Sequence, residues 1–302
     1  MAKFLQVFVS GLTVGATYAL AALGFSLVWA TLRSVNFAHG DIYTIGAYVS
    51  LGIGNFVVST AGGSWHPALL LIVVILACAA AGAGVSVGIE RAIFKPLRAA
   101  PEAVPILATL GLSIVIQNAL FLRYGSAFNS YPLSVPRGGF DMAGARLNVL
   151  QISYIVLVIA VVLGLTLFLR RAKIGVAMRA TSWDRETVSL MGVNPDFLIM
   201  LAFAIGGALA GLAGAFVSVY YGVITFFMGF GVAVKGFTAA VFGGFGNLNG
   251  ALLGGFLLGL FESMAAGYGA GQWKDAIAFI LLMLVILLRP TGIIGERLPS
   301  KV

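Results

Sequence analysis

Long apolar runs separated by short polar segments dominate the chain. Seven runs come close to or exceed the roughly 20 residues that a helix needs to cross about 30 Å of hydrocarbon. They are residues 4–32, 67–89, 104–122, 151–169, 197–221, 247–266 and 274–289. Two further stretches, 36–60 and 223–245, carry polar residues or many glycines. The pattern predicts an all-α polytopic protein with eight or nine crossings, in which residues 36–60 either span fully or dip back.

The composition places the chain in a membrane. Hydrophobic residues make up 60% of the sequence and charged residues 9%, against about 25% charged in a typical soluble domain. A single soluble core could not bury this much apolar surface, so the lipid bilayer must solvate part of it. The net charge of +8 comes without a long basic run, which argues against nucleic acid as a partner.

The basic residues predict the orientation. Segments 91–103, 170–196 and 289–302 hold eleven of the 18 Lys and Arg residues, and cytoplasmic loops are enriched in these residues. All three segments, including the C-terminus, are therefore expected in the cytoplasm, with the loop 125–150 outside. An even number of crossings must then follow residue 196, so stretch 223–245 is expected to cross the membrane as well.

Stretch 223–245 contains features unsuited to lipid. Lys235 at depth costs about 2.5–3.5 kcal/mol even on the mild insertion scale, so it is expected to face protein or water, or to snorkel. The "GGFG" sequence with Gly243, Gly244 and Gly246 weakens a helix by about 1 kcal/mol per glycine. It indicates either an unwound part of the crossing, shielded by protein or water, or a helix end with a tight turn. These four residues are candidates for lining a translocation path.

A polar cluster interrupts the apolar pattern early in the chain. Asn36, His39 and Asp41 lie in "SVNFAHGDIYTIGAYVS", close to the expected cytoplasmic end of the first span. They either cap the next helix or line the inner part of a path, since ionisable residues inside a membrane are functional candidates. If residues 36–60 span fully, the N-terminus lies outside.

No enzyme motif is found in the sequence. A G-x-x-x-x-G-K-[ST] phosphate loop is missing, His39 and His66 have no partners at zinc-ligand spacing, and no G-x-S-x-G elbow occurs. We therefore expect neither enzymatic activity nor a cofactor or metal in this chain. Glu262 is the one strong candidate for a carboxylate at depth, which argues modestly against a proton-coupled carrier.

Segment 170–196 contains more than a connector requires. Thr181 and Asp184 loosely match a capping box, and Val188, Leu190 and Met191 form a small apolar face. Gly192 and the following Asn-Pro pair end the pattern. The sequence thus predicts a cytoplasmic amphipathic helix of about ten residues, either a connector on the surface or a knob that docks into a partner's groove.

Glycines four residues apart recur in the apolar runs and permit close helix contact. Intramolecular packing is the favoured interpretation over a dimer interface. The pairs are Gly11/Gly15, Gly84/Gly88, Gly207/Gly211, Gly250/Gly254 and Gly255/Gly259.

Several motifs together carry a resemblance to a known family. "VNFAHGDIYTIGAY", "ERAIFKPLR", "GVAMRATSWDRETVSLMGVNP", "FGGFGNLNGALLGGFLLGL" and "LRPTGIIGE" resemble the permease subunits of branched-chain amino acid ABC importers, specifically the first of their two permeases. The similarity covers roughly residues 4–296 with the motifs in the same order. One departure is Asp41, where the family more often has Glu.

The resemblance implies a single permease domain over 1–302 in the bacterial inner membrane, forming half of a heterodimer with a second, related permease. Two cytoplasmic ATPase subunits would hydrolyse ATP, and a periplasmic binding protein would deliver substrate near loop 125–150. Helix 179–192 would be the coupling helix that contacts an ATPase subunit. Its implied coupling residues are Arg179, Asp184, Arg185, Glu186, Leu190, Met191 and Gly192.

The resemblance favours branched-chain or other hydrophobic amino acids as substrates. Urea or short amides are the alternative within the family. A stand-alone channel or secondary carrier is the alternative from another class, although a channel has no use for a coupling helix. A membrane scaffold is a third, against which the interior glycines and Lys235 argue.

Overall fold

The computed structural model describes residues 2–61, 66–132, 138–142, 144–289 and 291–294, and most of them are helical. The helices are α1 (Ala2–Leu32), α2 (His39–Ala61), α3 (Pro67–Ile89), α4 (Ala103–Tyr124), α5 (Val149–Arg171), α6 (Lys173–Thr181), α7 (Arg185–Leu190), α8 (Pro195–Tyr221), α9 (Met228–Gly243), α10 (Leu248–Gly267) and α11 (Lys274–Leu288). A π-helical turn, Glu90–Phe94, continues α3, and a 3-10 turn, Gly271–Trp273, precedes α11.

Within the described residues, eight helical segments are long and apolar enough to cross a membrane. Seven match the clean apolar runs, and the eighth is α2, which confirms a full-length helix in stretch 36–60. The ambiguous stretch 223–245 instead forms α9, of 16 residues. At about 1.5 Å per residue, α9 is about 24 Å long, shorter than a bilayer core of about 30 Å. Its crossing stays a prediction.

Four short strands lie outside the long helices. They are β1 (Asn129–Ser130), β2 (Gly139–Met142), β3 (Ala145–Asn148) and β4 (Val223–Ile224). β2 and β3 form an antiparallel hairpin, and β1 pairs antiparallel with β4. Asn148 then begins α5, because its side chain accepts a hydrogen bond from the Leu150 amide while Gln151 completes a capping box. The described part of the loop predicted to lie outside thus contains strands of two antiparallel pairs and a helix cap.

The chain divides into two compact units. The first unit comprises residues 1–31, 137–193 and 235–302, and the second comprises residues 32–136 and 194–234. The chain therefore passes from one unit to the other within α9, between residues 234 and 235.

In the first unit, α1 runs antiparallel to α10 with the two backbones in close contact. A Cβ atom on Gly15 would lie 2.8 Å from the Cα of Phe256, and one on Gly255 would collide with the backbone of Ala19. Nearer the start of α1, the Lys3 ammonium lies 5.1 Å from the centre of the Tyr268 ring, just after α10. Small residues allow this approach where lipid provides no hydrophobic force.

One end of the first unit gathers four chain segments. The Thr166 hydroxyl in α5 is 3.5 Å from the Asn249 side-chain oxygen at the start of α10. The amides of Ile293 and Ile294 donate to the carbonyls of Phe242 and Gly243 at the end of α9. The end of α5 and residues 291–294 therefore lie at the same end of this unit, as expected if both basic segments that begin there face one side of the membrane.

In the second unit, α8 packs closely on α2 and α3. Cβ atoms on Gly207 and Gly211 would collide with the backbone of α3 at Gly82 and Cys78, and one on Gly46 of α2 would lie 2.7 Å from the Cα of Gly211. The glycines of four predicted pairs contact other helices of the same unit, which confirms intramolecular packing. The pair Gly84/Gly88 faces open space.

Candidate translocation and coupling sites

The chain between α1 and α2 is partly to fully buried without being helical. Residues 34–36 form no regular structure, and Arg33 has a φ of 57°, a left-handed conformation that is uncommon for residues other than glycine. Asn36 is 2% exposed, and its side-chain oxygen accepts a hydrogen bond from the Ala38 amide at 3.1 Å. The Asn36 side chain therefore fixes the turn that leads into α2, a local structural role close to the predicted cap, and its part in a path stays a prediction.

This segment lies against the middle of α4 and not its end. The Phe37 amide donates to the Thr109 hydroxyl at 3.3 Å, and the Gln117 amide nitrogen donates to an Asp41 carboxylate oxygen at 3.0 Å. Thr109 and Gln117 are about 9 and 21 Å along the axis from Ala103, the first residue of α4, at about 1.5 Å per residue. Non-helical backbone at such depth is tolerated where it is buried in protein or lines a water-filled cavity.

The buried face of α4 is polar. Thr109, Ser113 and Gln117 are buried at intervals of four residues, and Gln117 also donates to the Ser113 hydroxyl at 2.9 Å. The opposite faces carry exposed Leu107 and Ile114. Sequence reasoning missed this face, although the i, i+4, i+8 spacing of polar residues in an apolar run was a usable signal.

The second unit therefore brings together Asn36, His39 and Asp41 at the start of α2, all at most 2% exposed. The start of α9 packs against the start of α2, at Gly229 and Gly40. A Cβ atom on Gly40 would collide with the carbonyl of Gly229, so only glycine permits this approach of α2 and α9.

The first unit contains the predicted path residue Lys235 in an ion-pair network. Its ammonium lies 2.7 Å from a Glu262 carboxylate oxygen and 2.8 Å from an Asp275 carboxylate oxygen. The Tyr18 hydroxyl donates to the other Glu262 oxygen at 2.8 Å, and the ammonium is 5.6 Å from the centre of the Tyr18 ring. Lys235 thus faces protein, as predicted, and Glu262 is its partner.

The "GGFG" sequence is a turn between two packed helices. α9 ends at Gly243, where a Cβ atom would collide with the Gly250 backbone of α10. Gly244 and Gly246 have φ of 117° and 88°, conformations that glycine adopts most readily, and the Asn247 side chain then accepts from the Gly250 amide at 3.1 Å. Of the two alternatives, the helix end and tight turn is correct, and an unwound crossing is wrong.

The predicted coupling helix is two short helices, α6 and α7. The expected single helix of about ten residues is wrong because Asp184 itself caps α7, accepting from the Glu186 and Thr187 amides at 2.9 and 3.1 Å. Thr181 is not a cap. It ends α6, and its hydroxyl donates to the Ala177 carbonyl. Asp is a strong N-cap on its own, whereas the loose capping box placed the helix start three residues too early.

The apolar face of α7 is divided between the interior and the exterior. Val188 is 6% exposed, whereas Leu190 and Met191 are 88% and 79% exposed. Gly192 follows with a φ of 79°, as expected just after a helix. Leu190 and Met191 form the exposed tip of α7. Of the other predicted coupling residues, Arg179, Asp184 and Glu186 are exposed and Arg185 is partly exposed.

An ion-pair cluster in the second unit was not predicted. Arg98 pairs with the buried Glu90 carboxylate of the π-helical turn and with Asp196 in the first turn of α8, and Lys95 lies 3.4 Å from Asp196. Glu90, Asp196 and their neighbours line a pocket of about 230 Å³. Arg98 and Lys95 belong to a segment whose basic residues predict orientation, but their shared partner Asp196 comes from a distant part of the chain. No group of three or more His, Cys, Asp or Glu suited to a metal occurs in the described residues.

Comparison with known proteins gives a near full-length match. Residues 7–286 match the family model described as "Branched-chain amino acid transport system / permease component". The chain is 40% identical to the high-affinity branched-chain amino acid transport system permease protein BraD of Pseudomonas aeruginosa, and 36% and 35% identical to the corresponding LivH proteins of Salmonella typhimurium and Escherichia coli. Each match covers 99% of this chain and 98% of the relative. No solved structure gives a significant match.

Proposed function

The chain belongs to the branched-chain amino acid transport permease family, and on this premise we propose that it forms half of the translocation path of an ABC importer for branched-chain or other hydrophobic amino acids. The other half is a second, related permease. Two cytoplasmic ATPase subunits drive transport, and a periplasmic binding protein delivers the substrate. The chain itself hydrolyses no ATP and holds no cofactor.

The exposed apolar tip of α7 is the observation that supports coupling to an ATPase. Leu190 and Met191 are largely exposed on a helix of six residues that is capped by Asp184 and anchored by the buried Val188. A short, rigid helix with two projecting apolar side chains and nearby charges suits a groove on a partner protein. A connector helix needs no such projection.

The orientation that we propose places the α7 tip and the C-terminal segment in the cytoplasm of a bacterial inner membrane. The three segments rich in Lys and Arg support it, and so does the arrangement of α5 and residues 291–294 at one end of the first unit. Since α1 runs antiparallel to α10, its start lies at the other end, which favours an external N-terminus.

Affinity capture followed by reconstitution tests the proposal. A tagged chain, gently solubilised from its native membrane, is expected to bring a second permease and nucleotide-hydrolysing subunits in stoichiometric amounts. In proteoliposomes with the binding protein, this complex is expected to take up leucine only with ATP. Capture of a homo-oligomer that moves solute without ATP would overturn the proposal in favour of a channel or carrier. Uptake of urea and not leucine would refute the substrate class alone.

A further inference from the structure

The start of α2 has the chemistry to bind the main-chain groups of an amino acid. We propose that Asp41, held by Gln117, binds the α-ammonium group of the transported amino acid, and that the Asn36 amide with the N-terminal end of α2 binds its carboxylate. This inference rests on the proposed function and names the polar half of the substrate site.

Asp41 differs from the other buried carboxylates of the described residues. Three acidic residues are buried, namely Asp41, Glu90 and Glu262. Glu90 pairs with Arg98, and Glu262 pairs with Lys235. Asp41 forms no ion pair with any described cationic side chain. Its side-chain partners, Gln117 and Ser113, are neutral.

This environment favours a cation supplied from outside the chain. Burying a carboxylate is costly unless it is paired with a cation and hydrogen-bonded. The neutral donors on α4 orient the Asp41 carboxylate, but no described cationic side chain neutralises its charge. An ammonium group supplies both the missing charge and up to three further hydrogen-bond donors.

Asn36 supplies the complementary group. Its side-chain oxygen accepts from the Ala38 amide in the turn before α2, while its side-chain nitrogen is buried without a hydrogen-bond partner among the described residues. Such a donor is costly to leave unsatisfied. It sits at the N-terminal end of a helix of 23 residues, where the helix dipole favours a negative group.

Donor and acceptor therefore stand at the same helix start, and a zwitterion carries the complementary group for each of them. Asn36 and the helix end attract a carboxylate, and Asp41, in the first turn of α2, attracts an ammonium. Urea or an amide carries neither charge. The arrangement thus favours amino acids within the substrate classes that the family admits.

Substitution of Asp41 in the complete complex is the first test. With loaded binding protein, Asp41→Asn is expected to lower ATP-driven leucine uptake at least tenfold, while binding protein still stimulates ATP hydrolysis. The matched control is Asn118→Ala on the exposed face of α4, which is expected to stay within twofold of the unchanged protein. Normal uptake by Asp41→Asn would overturn the inference and leave the proposed function intact.

A labelling test addresses the same site without relying on transport. Ser113→Cys, in a chain whose single native cysteine, Cys78, is buried, is treated with cationic and anionic methanethiosulfonate reagents of equal size. We expect faster modification by the cationic reagent, protection by leucine during turnover, and loss of the charge preference when Asp41→Asn is added. If Ser113→Cys is not modified, is not protected by leucine, or shows no preference for the cationic reagent, the ammonium site is contradicted. This holds even if the Asp41→Asn variant does not assemble.

Discussion

Lys235 and Glu262 allow the energetics of the first unit to be tested quantitatively. Their side chains are 13% and 9% exposed, and they lie 2.7 Å apart. Replacing Lys235 with Met leaves the Glu262 carboxylate buried with the Tyr18 hydroxyl but no cation. Breaking a buried pair from one side costs about 3–5 kcal/mol, because one charge remains uncompensated.

Replacing Glu262 alone is expected to destabilise the protein less than replacing Lys235. In Glu262→Gln, the Lys235 ammonium keeps its contact with Asp275, which is 64% exposed and therefore hydrated. The double variant, Lys235→Met with Glu262→Gln, removes both charges and is expected to be more stable than Lys235→Met alone by about 2 kcal/mol or more. Asp275→Asn is the control, and its effect should stay within about 0–1 kcal/mol.

Chemical denaturation of the purified protein in detergent micelles, followed by tryptophan fluorescence, gives the free energies of unfolding for the double-mutant cycle. If the two single losses simply add in the double variant, the pair contributes no coupling energy, and the contact is not an energetic unit. An unfolding midpoint for Lys235→Met equal to that of the unchanged protein would refute the reasoning from burial.

Three further predictions concern docking, helix contact and the second ion-pair cluster. Met191→Asp is expected to prevent association with the ATPase subunits in pull-down. Because the side chain is exposed, the free energy of unfolding should change by less than about 0.5 kcal/mol. Met191→Leu is the control, and unchanged association of Met191→Asp would place the docking contact elsewhere. Gly207→Ala is expected to lower the free energy of unfolding by about 1–3 kcal/mol, because its Cβ would collide with the backbone of α3. Gly84→Ala, in open space, should not destabilise the protein. Equal unfolding midpoints for the two variants would contradict the close contact. Arg98→Gln is expected to lower the free energy of unfolding by about 3–5 kcal/mol, because it leaves the buried Glu90 unpaired. Lys95→Gln is expected to lower it by less than about 1 kcal/mol. Similar losses for both variants would show that burial does not distinguish the two ion pairs.

The bilayer made most of the helices predictable. Its thickness sets the length of a crossing, so hydropathy alone locates seven of the eight long segments. The start of α2 was ambiguous because polar residues at a helix end look the same in sequence as a polar loop. Asn36 instead fixes the turn before α2 through one local hydrogen bond.

The contacts that define the candidate sites were largely hidden in the sequence. Gln117 is a neutral residue in an apolar run, and its partner Asp41 is 76 positions away. Likewise, Lys235 was identified as costly in lipid, but its pairing with Glu262 depends on the hairpin of α9 and α10 closed by the "GGFG" turn. At Thr181 and Asp184 two candidate caps lie three residues apart, and Asp184 is the one whose side chain accepts from the first amides of α7.

The polar face of α4 has a consequence for biosynthesis. α2 leaves the ribosome well before α4, so Asp41 enters the translocon before Gln117 and Ser113 have been made. A carboxylate in a membrane helix opposes insertion, and here its hydrogen-bond donors arrive more than 70 residues later. We expect α2 to settle fully into the bilayer only after α4 has been synthesised, so that the two helices enter lipid as a pair.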